Sequence, residues 1–137
     1  MSDFSIDFSV PEHGWMTVRV TQGDAGVDLD VSDVPCNSIE MLIWAAHRLA
    51  EGSETEPVPW SLEPLYAEWK LKLVGDQIEL VVAVNDVEKM KVLVDRDHFF
   101  KMLTTVLRQH RQNLAEQGEE HWSWPFPSES FDRLTRA

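Results

Sequence analysis

The chain has 137 residues, 43% hydrophobic and 26% charged, with a formal net charge of −12. That size suits one domain, and the composition argues against wholesale disorder. The negative charge excludes nucleic acid as an expected partner, because phosphates need a basic field, and the single cysteine, Cys36, excludes an internal disulfide.

The N-terminal residues lack the basic and apolar regions of a signal peptide. No stretch approaches 18 apolar residues, so no membrane-crossing helix is expected, and a cytoplasmic location follows as the simplest expectation. The charge is uneven. Residues 1–68 hold 13 acids against two bases, Arg19 and Arg48, a net of −11, and residues 69–137 hold 11 acids against 10 bases, a net of −1. An acidic half favours a basic protein partner by steering encounter, although acidity also serves solubility alone.

In chain order, Phe4, Ile6, Phe8 and Val10 alternate with polar residues and predict a half-buried strand. After "PEHG", the segment 15–21 gives a second strand with Met16, Val18 and Val20 on one face. "QGDAG" turns the chain into a third, with Val27, Leu29 and Val31 inward and Asp28 and Asp30 outward. A helix follows. Asn37 and Glu40 have capping-box spacing, Gly52 is a C-terminal stop, and Ile39, Leu42, Ile43, Ala46 and Ala50 form an apolar stripe. Met41, Trp44 and Arg48 point the other way.

"SETEPVPWSLEP" is expected to be a Pro-rich acidic loop. Ala67, Trp69, Leu71 and Leu73 then alternate with polar residues, "VGDQ" turns, and Ile78, Leu80, Val82 and Val84 continue the pattern. Met90, Val92 and Val94 mark one more strand. Asp95 caps a second helix whose apolar face is Phe99, Met102, Leu103, Val106, Leu107 and Leu114. The expected fold is α+β: an antiparallel sheet of about six strands in the order βββα-βββα, both helices on one face. A single domain over 1–137 is expected, with 115–137 as a docked tail.

No arrangement of catalytic or metal-ligating residues stands out. His47 follows Cys36 by eleven residues, about 16 Å along one helix, too far for a dyad within it. The five histidines, His13, His47, His98, His110 and His121, include no helical i, i+4 metal pair. His110 falls on an apolar helix face, as expected of a histidine at the edge of a core. Asp28 and Asp30 share one strand face, but acid–base work needs a cleft that separates their pKa values. Phosphate-binding glycine motifs are absent. No catalytic residue, metal or cofactor is expected.

The segment "HWSWPFPSESF", residues 121–131, is too apolar to be left in water. It is expected to fold back onto the outer side of the first helix around Met41 and Trp44. The rival expectation is a contact surface, a candidate aromatic patch of Trp44, Trp122, Trp124 and Phe126. A swapped tail in a homodimer is a third.

"HGW" opening the second strand, "SDVP" before the first helix and "EPLYAEWKLKLVGDQIEL" after it resemble a loose group of small bacterial proteins. Some of that group are immunity proteins of contact-dependent or polymorphic toxin systems. The resemblance covers residues 13–84 through Gly14–Trp15, Asp33, Glu63–Pro64, Trp69 and Asp76. It implies an α+β sheet without known catalytic residues, with Trp15 and Trp69 as framework and Gly75–Asp76 as a turn.

The leading functional expectation is a non-enzymatic, immunity-like protein whose acidic surface occludes a basic partner. Its contact residues would be Asp28, Asp30, Glu54, Glu56 and Glu63, with Trp60 as anchor. The alternatives are a homodimeric structural or assembly protein, and a small-ligand-binding domain with a pocket between sheet and helices.

Overall fold

The computed structural model describes residues 3–117 and 121–136. Its strands are β1 (Phe4–Phe8), β2 (Trp15–Gln22), β3 (Ala25–Ser32), β4 (Thr55–Ser61), β5 (Tyr66–Val74), β6 (Gln77–Val84) and β7 (Val87–Asp95). Its helices are α1 (Ser38–Ala50) after β3, then α2 (Arg96–Gln117) and α3 (Ser128–Arg136) after β7. The fold is α+β, with one antiparallel sheet in the order β1-β2-β3-β4-β5-β6-β7. No described helix is long and apolar enough to cross a membrane.

Alternation places the strands as the sequence predicts. Ala67, Trp69 and Leu71 of β5 and Ile78, Leu80 and Val82 of β6 are fully buried. Val10 departs from the pattern at 53% exposed, because β1 ends at Phe8 and Pro11 takes the next buried place. The helix ends follow local chemistry. Asn37 accepts the Glu40 N–H at 3.3 Å, and Asp95 accepts the His98 N–H at 3.1 Å. Gly52 sits at φ +105°, where the Ser53 N–H reaches the Arg48 carbonyl and the Gly52 N–H that of Leu49. This Schellman closure needs a residue without a Cβ penalty.

The expected count of six strands is corrected to seven. The Pro-rich stretch 55–61 is β4, paired along its length with β5. The Leu73 N–H donates to the Glu54 carbonyl at 2.8 Å, and the Leu62 N–H to that of Leu65 at 2.9 Å. The pairs that bond across this ladder therefore fall at even-numbered β4 positions. Pro57 and Pro59 turn their missing donors to the other side, where β3 pairs only through Ser32↔Ser61. The Ser38 hydroxyl of α1 satisfies the Pro59 carbonyl at 2.6 Å. Strand signals mislead here because proline is tolerated on an edge, and β4 is an edge along most of its β3 side.

Helix packing also differs in detail from the expectation. α1 lies under β4 and β5, whereas α2 packs against β1, β6 and β7. The His98 ring of α2 reaches the Phe4 carbonyl on β1. The apolar sides of sheet and helices merge in one buried cluster, which the first and last strands, Trp60, Trp69 and Phe99 all enter. Phe131 and Leu134 of α3 join the same cluster. The helix 128–136 is absent from the sequence expectation, and residues 115–117 belong to α2.

The two tryptophans of the expected framework separate. Trp69 is fully buried against Trp60, with ring centroids 5.3 Å apart, and Trp15 is 40% exposed. Trp69→Ala is expected to lower the unfolding free energy by about 3–5 kcal/mol in urea denaturation. Trp15→Ala should change it by less than about 1 kcal/mol.

Candidate functional site

The outer sheet face is built rung by rung from β1, β2 and β3. Register places Asp7 opposite Arg19 and Arg19 opposite Asp28. Arg19 grips Asp28 with two hydrogen bonds, Nε to Oδ1 at 2.7 Å and a terminal guanidinium nitrogen to Oδ2 at 3.0 Å. The Arg19 hydrogen bond holds the Asp28 carboxyl below its ordinary pKa, and the same bond raises that of Arg19. Both side chains are more than half exposed, so this pair adds little to stability. On the next rung the Thr17 hydroxyl donates to Asp30 at 2.9 Å, and on the next Trp15 lies opposite Ser32.

Beyond that rung, loop 9–14 bridges back to β2 through Glu12 and Trp15 and borders an open cleft of about 570 Å³. Val10, Glu12, His13, Trp15, Thr17 and Asp30 line it. Trp15 and Val10 are exposed there. Neither Glu12 nor Asp30 takes part in an ion pair among the described residues. The cleft thus combines an indole face with two uncompensated carboxylates.

The back of the loop is fixed by Asp33, which is buried. The Asp33 N–H donates to the Gly14 carbonyl at 2.9 Å, and the Gly14 N–H donates to the His121 carbonyl at 2.8 Å. Asp33 Oδ2 accepts the Ser123 N–H at 2.7 Å, and its carbonyl accepts the Trp124 indole N–H. Gly14 has φ +84°, and a Cβ there would lie 3.1 Å from Asp33 Oδ1. Only glycine meets both demands. His13 donates its N–H to His121 Nδ1 at 3.2 Å, with the two rings 5.1 Å apart.

The acids named from sequence do not form one patch. Asp28 and Asp30 share the outer face. Glu63 is exposed just past the Ser32↔Ser61 pair, at the Trp15 end of the sheet. Glu54 is exposed at the opposite end of β4, about 23 Å of strand rise from Ser61. Glu56 is a correction: it points inward and is 9% exposed, bonded to Arg48 and to the Ser53 hydroxyl at 2.6 Å. Burial is the largest influence on its carboxyl and raises the pKa, but the Ser53 and Arg48 hydrogen bonds with the Arg48 charge outweigh it, so the net shift is downward.

Trp60 is a second correction. At 1% exposed, between Phe8 and Trp69, it cannot anchor a partner. Val58 and Trp60 take inward positions because 55–61 is a strand and not a loop. Trp15 is exposed on the sheet, marked in sequence by its odd-position phase against Met16, Val18 and Val20.

The aromatic patch is a third correction. Trp122 is buried, and Trp124 and Phe126 pack against the core. Trp44 stays exposed beside the His47 ring. The tail does not cover Met41 and Trp44; it threads past Asp33, and α3 then packs on α1, where His47 Nε2 meets the Ser130 carbonyl at 3.0 Å. His110 lies inside the core at 1% exposed, not at its edge. No metal-holding group of three or more ligands occurs among the described residues. The space between sheet and helices is filled by Trp60, Trp69, Phe99, Ile39 and Leu42.

Comparison with protein-family models, with curated proteins and with solved structures finds no match to this chain.

Glu56→Ala is expected to cost about 1–2 kcal/mol at pH 7 by removing the acceptor of two hydrogen bonds. Because the folded carboxyl titrates below its ordinary value, this contribution is complete above the ordinary carboxylate range. It is lost as pH falls through the lowered folded value. Chemical denaturation at pH 7 and pH 3.5 should show the variant's deficit shrinking at the lower pH.

Proposed function

We propose that this is a non-enzymatic protein-binding module that receives a basic partner on the outer face of β1–β3, in the manner of an immunity protein. The observation that carries the reading is the cleft beside Trp15, where Glu12 and Asp30 have no described cationic partner. An exposed indole next to uncompensated carboxylates favours a lysine or arginine side chain, by cation–π attraction and by charge. The net of −11 over residues 1–68 would steer such a partner to this half of the molecule. Occlusion follows if the bound surface is the partner's working surface.

The contact set is therefore revised. Asp28 and Asp30 remain, Glu63 flanks the same end, and Glu12 and Trp15 replace Glu56 and Trp60. Asp28 contributes through the field, since Arg19 occupies its oxygens.

The test is capture from a lysate of the source organism followed by titration of the captured protein. Wild type should retain a basic protein at low salt. Trp15→Ala, and separately the pair Glu12→Gln with Asp30→Asn, should each weaken its affinity about tenfold or more. Raising salt should weaken the wild-type complex further. Equal affinity of wild type and both variants, with no salt dependence, would remove the cleft from the interface and sink the proposal.

A further inference from the structure

We infer that the segment His121–Arg136 is a strap that acid releases from the body of the protein. The inference stands apart from whatever the acidic cleft binds.

The strap closes over His110 of α2. The His110 ring meets Phe8 of β1 at 5.9 Å, Trp122 at 5.9 Å and Phe126 at 6.1 Å, so two of its three ring neighbours come from the strap. The residue is 1% exposed, and neither ring nitrogen has a hydrogen-bond partner among the described residues. A neutral imidazole tolerates such a site far better than an imidazolium, whose two N–H donors and charge would have no acceptor. Burial lowers the His110 pKa to about 4.

The groups around it supply no counter-charge. β1 presents Phe8, and the strap presents Trp122 and Phe126. On α2 the adjacent charge is Arg111, a cation that lies over Phe126 and Phe131. The acid that α3 brings to this region, Asp132, is bound to Arg111 at 3.1 Å. A proton on His110 is therefore accommodated by lifting the strap and admitting water.

With the strap docked, His110 binds a proton only near pH 4; with the strap lifted, it titrates near its ordinary value of about 6.5. The released state therefore takes up more protons, and falling pH favours release across that window. At pH 4.5 the docking equilibrium is weakened on the order of a hundredfold. Two further histidines sit along the strap's attachment: His121 Nδ1 accepts the His13 N–H, and His47 Nε2–H donates to the Ser130 carbonyl.

Amide hydrogen exchange of the full chain at pH 7 and pH 4.5, corrected for intrinsic rates, tests this. Peptides covering 121–136 should lose protection on the order of a hundredfold at pH 4.5, while peptides covering β5 and β6 keep theirs. His110→Leu and His110→Phe should each retain strap protection at pH 4.5. Equal strap protection at the two pH values in wild type would overturn the proposal. So would loss of protection in β5 and β6 together with the strap, which is global acid unfolding. Release of the strap in a folded His110 variant at the wild-type pH would also overturn it. The wild-type comparison decides the matter even if neither variant folds.

Discussion

Asp33, buried at the end of β3, ties together distant parts of the chain through its backbone and its side chain. Its backbone N–H holds the Gly14 carbonyl, one carboxylate oxygen holds the Ser123 N–H, and its own carbonyl holds the Trp124 indole. A buried carboxylate is tolerable only when it accepts hydrogen bonds, and the Ser123 N–H supplies one here. Loop 9–14, the end of β3 and the start of the C-terminal segment are thereby fixed to one point, and the wall of the Trp15 cleft is set by it.

A second constraint shapes the sheet. Pro57 and Pro59 deny β4 a full ladder with β3, leaving the single Ser32↔Ser61 pair as the seam between β1–β3 and β4–β7. With so little pairing there, the two groups of strands are free to coil, and β3 comes within contact distance of β7. α1 packs under β4, on one side of the seam, and its Ser38 hydroxyl satisfies the Pro59 carbonyl on that edge. The acidic outer face belongs to β1–β3, on one side of that seam. The face of β5–β7 carries lysines as well as acids, including Lys91 paired with Glu79.

The core is rich in rings, and among the described residues the His110 ring and the Trp60 and Trp69 indole N–H groups lie in it without a hydrogen-bond partner. Neutral His110 packs edge-on against Phe8 and Trp122 much as a phenylalanine would. Arg111 and Arg108 lie over the face of Phe131 and tie α3 to α2 by cation–π contact, with Asp132 closing the charge. The C-terminal segment is thus held by hydrogen bonds at its start and by rings and charges at its end. The histidines lie along that line of attachment.

The sequence by itself determined what depends on neighbours a few residues away. Period-two alternation fixed the inward faces of β2, β3, β5, β6 and β7, and caps at Asn37, Asp95 and Gly52 fixed helix ends. The acidic bias of the first half and the outward phase of Asp28 and Asp30 were equally legible. Tertiary structure decided the rest, because those outcomes turn on residues far apart in the chain. β4 could be a strand only because its proline side meets almost no ladder. Trp60 is buried and Trp15 exposed because α1, β5 and β1 enclose one and not the other. His121 meets His13 across 108 residues, and Asp33 meets Ser123 across 90, separations at which no local pattern constrains contact. Whether an acid is a free surface charge, like Glu12, or an internal ligand, like Glu56, depends on which cation the fold delivers to it.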